Sequence, residues 1–445
     1  MPPSALSSTA AMVLLVVGVA VSALRAQAPA EARIEIGPLQ LVGTAGPDLP
    51  IWLEVAADSG ASGTLIVCGM RTTAGSPRRA FGFVERSDNA GRSWARTLTV
   101  ADAPFVSEGT CAIGVEGQAY FIAQPGDGAR ASSAVLRFYR SVDAGRTWLA
   151  PTEQPFADLT TMTVDTGASA GRGRVYVAAN GFRRRTGVPR APTMDLFAAA
   201  PGDARLTGPI QPIADGERTG GAFPGAVRVL PDGRPLAVYH TGVAGAAGAA
   251  SGAEGFARYI EVVRSLDGGR TWQRPERVAA ADRWGLPDSP SLAIDPRSGR
   301  ATVAWSAFVG ERSRILTASS DDGGVTWSAP ETADDTTAAL PGDRIVVAHP
   351  NVAIDRRGRE ALTWFDAQRK CWRVRARVRA SDPWTYSSQA LSACGAGEPS
   401  ARDLYGSLRQ WETGLAVDAE SRFWPVWAAR RSDDYVVVTR AVRLD

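Results

Sequence analysis

Lysine is nearly missing from this chain of 445 residues: Lys370 is the only one, and arginine supplies the rest of the 49 basic side chains. With one amine to offer, the chain is poorly equipped for Schiff-base chemistry. The formal charge is only +3, and like charges never run in blocks of five or more, so the arginine excess does not read as a nucleic-acid surface. Histidine occurs only at 240 and 349, and no Cys-x-x-Cys or His–Cys grouping exists. That excludes the common zinc sites, and neither a metal nor a cofactor is expected. Helical periodicity is absent outside the N-terminus.

The one long apolar run, Ala10–Leu24, is short for a bilayer span and is followed by the small residues of Ala26-Gln27-Ala28. It reads as a signal peptide over residues 1–28, with an uncleaved anchor as the alternative because no Lys or Arg precedes it. The mature chain, 29–445, would carry no membrane span and be secreted or periplasmic. An exported chain can oxidise its four cysteines. Three pairings are possible. Cys68–Cys111 and Cys371–Cys394 are favoured, because the first two lie in strands of adjacent repeats and the second two flank one hairpin-like segment.

What the chain has in quantity is turn-formers, 46 Gly and 29 Pro, and a recurring turn. RSLDGGRTWQRP from Arg264 returns as RSDNAGRSWAR from Arg86, RSVDAGRTWLAP from Arg140 and SSDDGGVTWSAP from Ser319. The shared pattern is Ser-x-Asp/Asn-x-Gly-x-Ser/Thr-Trp. Asp or Asn binds nearby backbone amides, Gly takes a positive φ, the hydroxyls tie the turn, and Trp enters an apolar layer. Nothing in it is set up for catalysis.

A second signature is a strand, an acidic turn and another strand, as in SLAIDPRSGRATVAW from Ser291, NVAIDRRGREALTW from Asn351 and GLAVDAESRFWPVW from Gly414. Aligned on Asp58, Glu116, Asp165, Asp232, Asp295, Asp355 and Asp418, it recurs about every 60 residues. Each strand alternates with period two, and Ala or Gly stands where strands would crowd.

The tryptophan turn resembles the Asp-box, or BNR, repeat, and the chain is thereby similar to the Asp-box β-propellers of the sialidase-like superfamily. The resemblance implies an all-β propeller of four-stranded antiparallel blades, with the box between third and fourth strands on the face away from the ligand. Seven signatures favour seven blades; six is the alternative, since sialidases close with six. The last repeat is one strand short, and RIEIGPLQLV from Arg33 could close the ring and remove its exposed edges. A single propeller domain, 29–445, acting as a monomer, is expected.

Topology then puts any ligand at the loops joining second to third strands and blade to blade. Those loops hold Arg71, Arg78, Arg79, Arg183, Arg184, Arg185, Arg190, Arg312, Arg369, Arg430 and Arg431, suited to carboxylate, sulfate or phosphate. The resemblance implies an exo-glycosidase acting on acidic sugars: Tyr405 with Glu412 as nucleophile pair, Asp288 as proton donor, and Arg283, Arg344 and Arg409 on the sugar carboxylate. His349 and Arg369 complete the expected binding set. The family's opening Arg-Ile-Pro tripeptide is replaced by Arg33-Ile34-Glu35, a departure that bears on the activity and not on the fold. The competing reading is a non-catalytic propeller that binds a polysaccharide or protein.

Overall fold

The computed structural model describes residues 33–60, 63–73, 79–127, 134–155, 157–182, 192–210, 219–243, 259–280, 289–310, 312–336, 347–379, 382–384, 387–395 and 413–445. Among them there is no α-helix, and none long and apolar enough to cross a membrane. Near the N-terminus lie two short strands, β1 (Ile34–Ile36) and β2 (Gln40–Gly46). Four-stranded antiparallel sets follow. The first is β3 (Leu49–Ala57), β4 (Leu65–Thr72), β5 (Ala80–Ser87) and β6 (Ala95–Val100). The second is β7 (Phe105–Ile113), β8 (Ala119–Gly126), β9 (Val135–Ser141) and β10 (Thr152–Pro155). A single parallel pair, Ala80 with Phe105, joins these two into one eight-stranded sheet.

Four separate sheets come next. They are β11 (Asp158–Val164) to β12 (Val175–Phe182), β13 (Pro192–Ala199) and β14 (Thr207–Ile210); then β15 (Thr219–Val229), β16 (Pro235–Val243), β17 (Tyr259–Arg264) and β18 (Glu276–Ala280). The other two are β19 (Ser291–Ile294), β20 (Ala301–Val309), β21 (Arg312–Ser320) and β22 (Glu331–Thr332); and β23 (Val347–Ile354), β24 (Glu360–Asp366), β25 (Cys371–Arg377) and β26 (Gln389–Ala390). The final sheet holds β27 (Thr413–Val417), β28 (Phe423–Arg431), β29 (Asp434–Thr439) and β30 (Val442–Leu444). Here β1 pairs with β30, and β2 pairs with β29 through Gln40–Thr439, Leu41–Val438 and Val42–Val437. The N-terminal segment thus forms two strands where one was expected.

The molecule is an all-β propeller. Its core lies between sheets: Phe138 of β9 packs with Val177 of β12, Tyr239 of β16 with Leu196 of β13, and Trp305 of β20 with Val262 of β17. Another cluster joins the last set to the first, with Trp424, Val426 and Val437 against Leu53, Val67 and Phe83. Alternation along each strand supplies two apolar faces, which is what packing on both neighbours requires.

The four tryptophan turns are built alike. In the third, Ser265 Oγ donates to Asp267 (2.8 Å) and accepts from Gly269 N (2.8 Å), while Thr271 gives both its amide (2.8 Å) and its hydroxyl (2.6 Å) to Asp267. Ser141–Asp143–Thr147 and Ser320–Asp322–Thr326 repeat the set. Both expected disulfides, Cys68–Cys111 and Cys371–Cys394, are present.

Candidate functional site

The first strand of every set ends in a hairpin turn whose opening residue donates its N–H across the turn: Asp58, Gly114, Asp165, Leu230, Asp295, Asp355 and Asp418. Glu116 and Asp232, used in the sequence alignment, stand two residues further into their turns. Counting four back from the opening residue gives Glu54, Thr110, Thr161, Ala226, Ser291, Asn351 and Gly414, and all seven line one cavity of about 100 Å³. Period-two alternation puts the residues two further along on the same face. These are Ala56, Ala112, Thr163, Arg228, Ala293, Ala353 and Ala416. Five alanines narrow the axis there, and Arg228 is the one long side chain.

Six residues back from the turn, away from the hairpins, Trp52, Glu108, Ser289 and His349 line the same cavity. Three of them adopt positive φ: Trp52 at 51°, Glu108 at 57° and His349 at 57°. Each sits in a register shift of its innermost strand. A β-bulge re-aims side chains, and here it does so at one level of the axis.

Glu54 and Arg228 are partly buried and both line the cavity. Burial pushes the Glu54 carboxyl above its ordinary value against the opposing pull of Thr110, Arg228 and Cys111. Thr110 Oγ1 donates to Glu54 Oε2, and Cys111 N donates to the same oxygen at 3.3 Å. Burial also lowers the Arg228 guanidinium, opposed by the charge of Glu54; its Nη1 donates to the carbonyl of Val227 at 2.8 Å. The two side chains feel each other's charge without forming a direct ion pair.

Glu108, buried, accepts from Gln124 Nε2 and from Thr160 N, both at 2.9 Å, and so ties β7 to β11. Thr160 lines the cavity, and its buried Oγ1 has no hydrogen-bond partner among the described residues. The His349 ring is tilted at 6.3 Å from Trp372. Among the described residues the cavity thus offers two carboxyl groups, one guanidinium, one imidazole and several hydroxyls, a set that can hold a small polar ligand by donors and acceptors together.

Of the residues selected from sequence, Tyr405, Glu412, Asp288, Arg283, Arg344 and Arg409 lie outside the described residues. His349 lines the cavity. Arg369 does not; its Nη1 binds Asp366 Oδ2 at 2.8 Å in the turn after β24. Arg71 is buried and holds the carbonyls of Thr44 (3.1 Å) and Asp48 (3.3 Å), so its role is structural. His240 stacks on Phe223 at 5.1 Å, away from the cavity lining. Sequence reasoning missed Glu54, Glu108 and Arg228. The signal was available as charge in an otherwise apolar or small-residue strand at a fixed count from the turn.

No protein-family model and no curated protein matches the chain. Among solved structures, the NanB sialidase of Streptococcus pneumoniae is similar at 10% identity and TM-score 0.48, over 92% of this chain and 93% of that one. A leech intramolecular trans-sialidase is similar at 10% identity and TM-score 0.47, over 93% and 94%. A protein of unknown function from Dyadobacter fermentans matches at 16% identity and TM-score 0.46, over 75% and 94%. At these identities the likeness is one of fold.

Proposed function

We propose that this chain is an exported, seven-bladed Asp-box propeller that takes an acidic glycan at the mouth of its central cavity and cleaves it as a sialidase-type exo-glycosidase. The observation that carries the reading is the cavity itself, where the innermost strands of seven sets meet and bring Glu54, Glu108, Arg228 and His349 together. The eight-stranded sheet counts as two blades because one residue pair links its halves, and β2 supplies the outer strand of the last blade. Ala32–Asp445 is one compact unit, in keeping with a single domain. The N-terminal apolar run and the two disulfides support export to an oxidising compartment.

In this scheme Tyr405 is the nucleophile activated by Glu412, Asp288 gives the proton, Arg283, Arg344 and Arg409 face the sugar carboxylate, and His349 lines the site; Arg369, held by Asp366, takes no part. Tyrosine as nucleophile avoids repelling an anionic substrate. Asp288 and Glu412 are the chain neighbours of Ser289 and Thr413, which line the cavity. Counting six back from Asp418 also reaches Glu412, the count that gives Glu108 and His349. Burial, which pushes the Glu54 carboxyl above its ordinary value, favours its neutral form, a hydrogen-bond donor beneath the ligand. The scheme requires no metal or cofactor.

One observation favours a second reading, binding without turnover: about 100 Å³ is small beside the roughly 300 Å³ of ordinary ligand pockets. The test is hydrolysis of a fluorogenic sialoside by the purified chain, expected to vanish in Tyr405→Phe. Absence of turnover across a panel of acidic sugars, with binding retained, would establish the second reading.

A further inference from the structure

The cavity acid Glu54 is enclosed by a loop of contacts that runs through a disulfide. On β3, Glu54 is the cross-strand partner of Cys68 on β4. Cys68 is bonded to Cys111 on β7. Cys111 N, with the hydroxyl of its neighbour Thr110, donates back to the Glu54 carboxylate. β4 and β7 share no ladder, since β4 pairs with β3 and β5 while β7 pairs with β8 and, at one residue, β5. Their backbones nevertheless press together: a Cβ on Gly109 would come within 2.9 Å of the Gly69 carbonyl oxygen. Both sulfurs are buried.

We propose that the Cys68–Cys111 disulfide is a positioning pair for the cavity acid, holding Thr110 and Cys111 N against the Glu54 carboxylate and so setting when the cavity gains or loses its proton. The inference rests on the proposed function only in treating Glu54 as a site residue. Without the bridge, nothing covalent keeps the two donors of β7 over an acid of β3. Both donors favour the ionised carboxyl, whereas burial favours the neutral one; losing the donors while the burial remains raises the titration midpoint. Among the described residues, the other titratable and charged groups lining the cavity are Glu108 from β7, Arg228 from β15 and His349 from β23. The Cys371–Cys394 bridge, in another sheet, is an internal control.

The experiment is a carbon-13 titration of the glutamate carboxyls in the whole chain, with the Glu54 signal assigned by its loss in Glu54→Gln. Cys68→Ala/Cys111→Ala is expected to raise the Glu54 midpoint by about one pH unit, an amount typical of losing such hydrogen bonds. Thr110→Val, with the bridge intact, should raise it in the same direction, and Cys371→Ala/Cys394→Ala should leave it in place. A merely stabilising bridge would lower the melting temperature in both cysteine variants and leave the midpoint alone; that result, or a midpoint that falls, overturns the proposal. Cys68→Val/Cys111→Ala refills the sulfur volume if the alanine pair does not fold. Failure of both to fold also overturns it, since the bridge is then a folding requirement. Because the readout uses neither ligand nor turnover, failure of the glycosidase reading leaves this result interpretable.

Discussion

The tryptophan turns and the central cavity are both assembled from repeats, yet they use repetition in opposite ways. In three of the four turns each position does the same work: Asp143, Asp267 and Asp322 all accept from a hydroxyl four residues on, at 2.6 Å, while in the first Asn89 accepts the Ser93 amide at 2.9 Å and donates Nδ2 to the Ser93 hydroxyl at 2.8 Å. At the cavity, the same position of successive strands carries Glu54, Thr110, Thr161, Ala226, Ser291, Asn351 and Gly414. The turns satisfy one local backbone geometry that recurs in four of the seven sets, so one residue pattern answers it there. The cavity is shared by all sets and occurs once, so each strand can contribute a different group. Repetition therefore reports the fold, and departure from it reports the site.

The comparison breaks most severely where the two systems touch. Trp424 is 1% exposed in the cluster that joins the last set to the first, and its indole N–H donates to Asp418 at 2.7 Å. It also abuts the first tryptophan turn, since a Cβ on Gly91 would lie 3.1 Å from its ring. Trp424→Ala is expected to cost about 3–5 kcal/mol in urea unfolding, and to lower turnover or binding only in proportion to the unfolded fraction. A variant that stays fully folded and loses function would place Trp424 in the site and not in the seam.

A smaller effect separates the carboxylates of the two regions by sign. The hydroxyl and then the amide of Thr271 hold the Asp267 carboxyl down at about 2. A carboxyl lowered by folding contributes stability that is full above its ordinary value and is lost as pH falls through about 2. Asp267 faces solvent, and screening reduces the contribution to about 1 kcal/mol. Asp267→Asn should therefore destabilise the chain by about that amount at pH 7, and by progressively less as pH falls through about 2. Glu54 runs the other way: burial raises it, so its contribution is full at low pH and is lost as pH rises through its folded value. Glu54→Gln should thus raise the unfolding midpoint at pH 8 relative to the parent chain. Parallel pH–stability curves for the two variants would refute the contrast.

The propeller was legible because its determinants are local. A Ser-x-Asp-x-Gly-x-Thr-Trp turn specifies its own hydrogen bonds, and strands ending in SLAID, NVAID and GLAVD announce a crowded axis through their alanines. The count from turn to cavity was equally available, but the acids Glu116 and Asp232 misplaced it by two residues in two sets, where Gly114 and Leu230 open the turn. Candidate residues were instead sought among exposed loop arginines, and of those, Arg71 proved to be a buried tie between backbone carbonyls. Burial of a charge inside an apolar strand is a tertiary fact; sequence shows the anomaly and not the cavity that accommodates it.

The smallest expected change in stability tests the site most directly. Arg228 occupies a position where five other strands carry alanine, and among the described residues its guanidinium forms no direct ion pair, so Arg228→Ala restores the residue that the surrounding geometry accepts. No described residue forms a direct ion pair with Arg228, so its removal strands no ionic partner in contact, and the variant should unfold within about 1 kcal/mol of the parent. Its effect on function should be out of proportion to this, with at least a tenfold loss in affinity for an anionic sugar, the equivalent of about 1.4 kcal/mol. Calorimetry of the sugar against both chains reads the second quantity while urea unfolding reads the first. Equal affinity would reduce Arg228 to a plug at the narrow end of the axis; a large loss of stability would mean that the ring is organised around this side chain and not around the alanines.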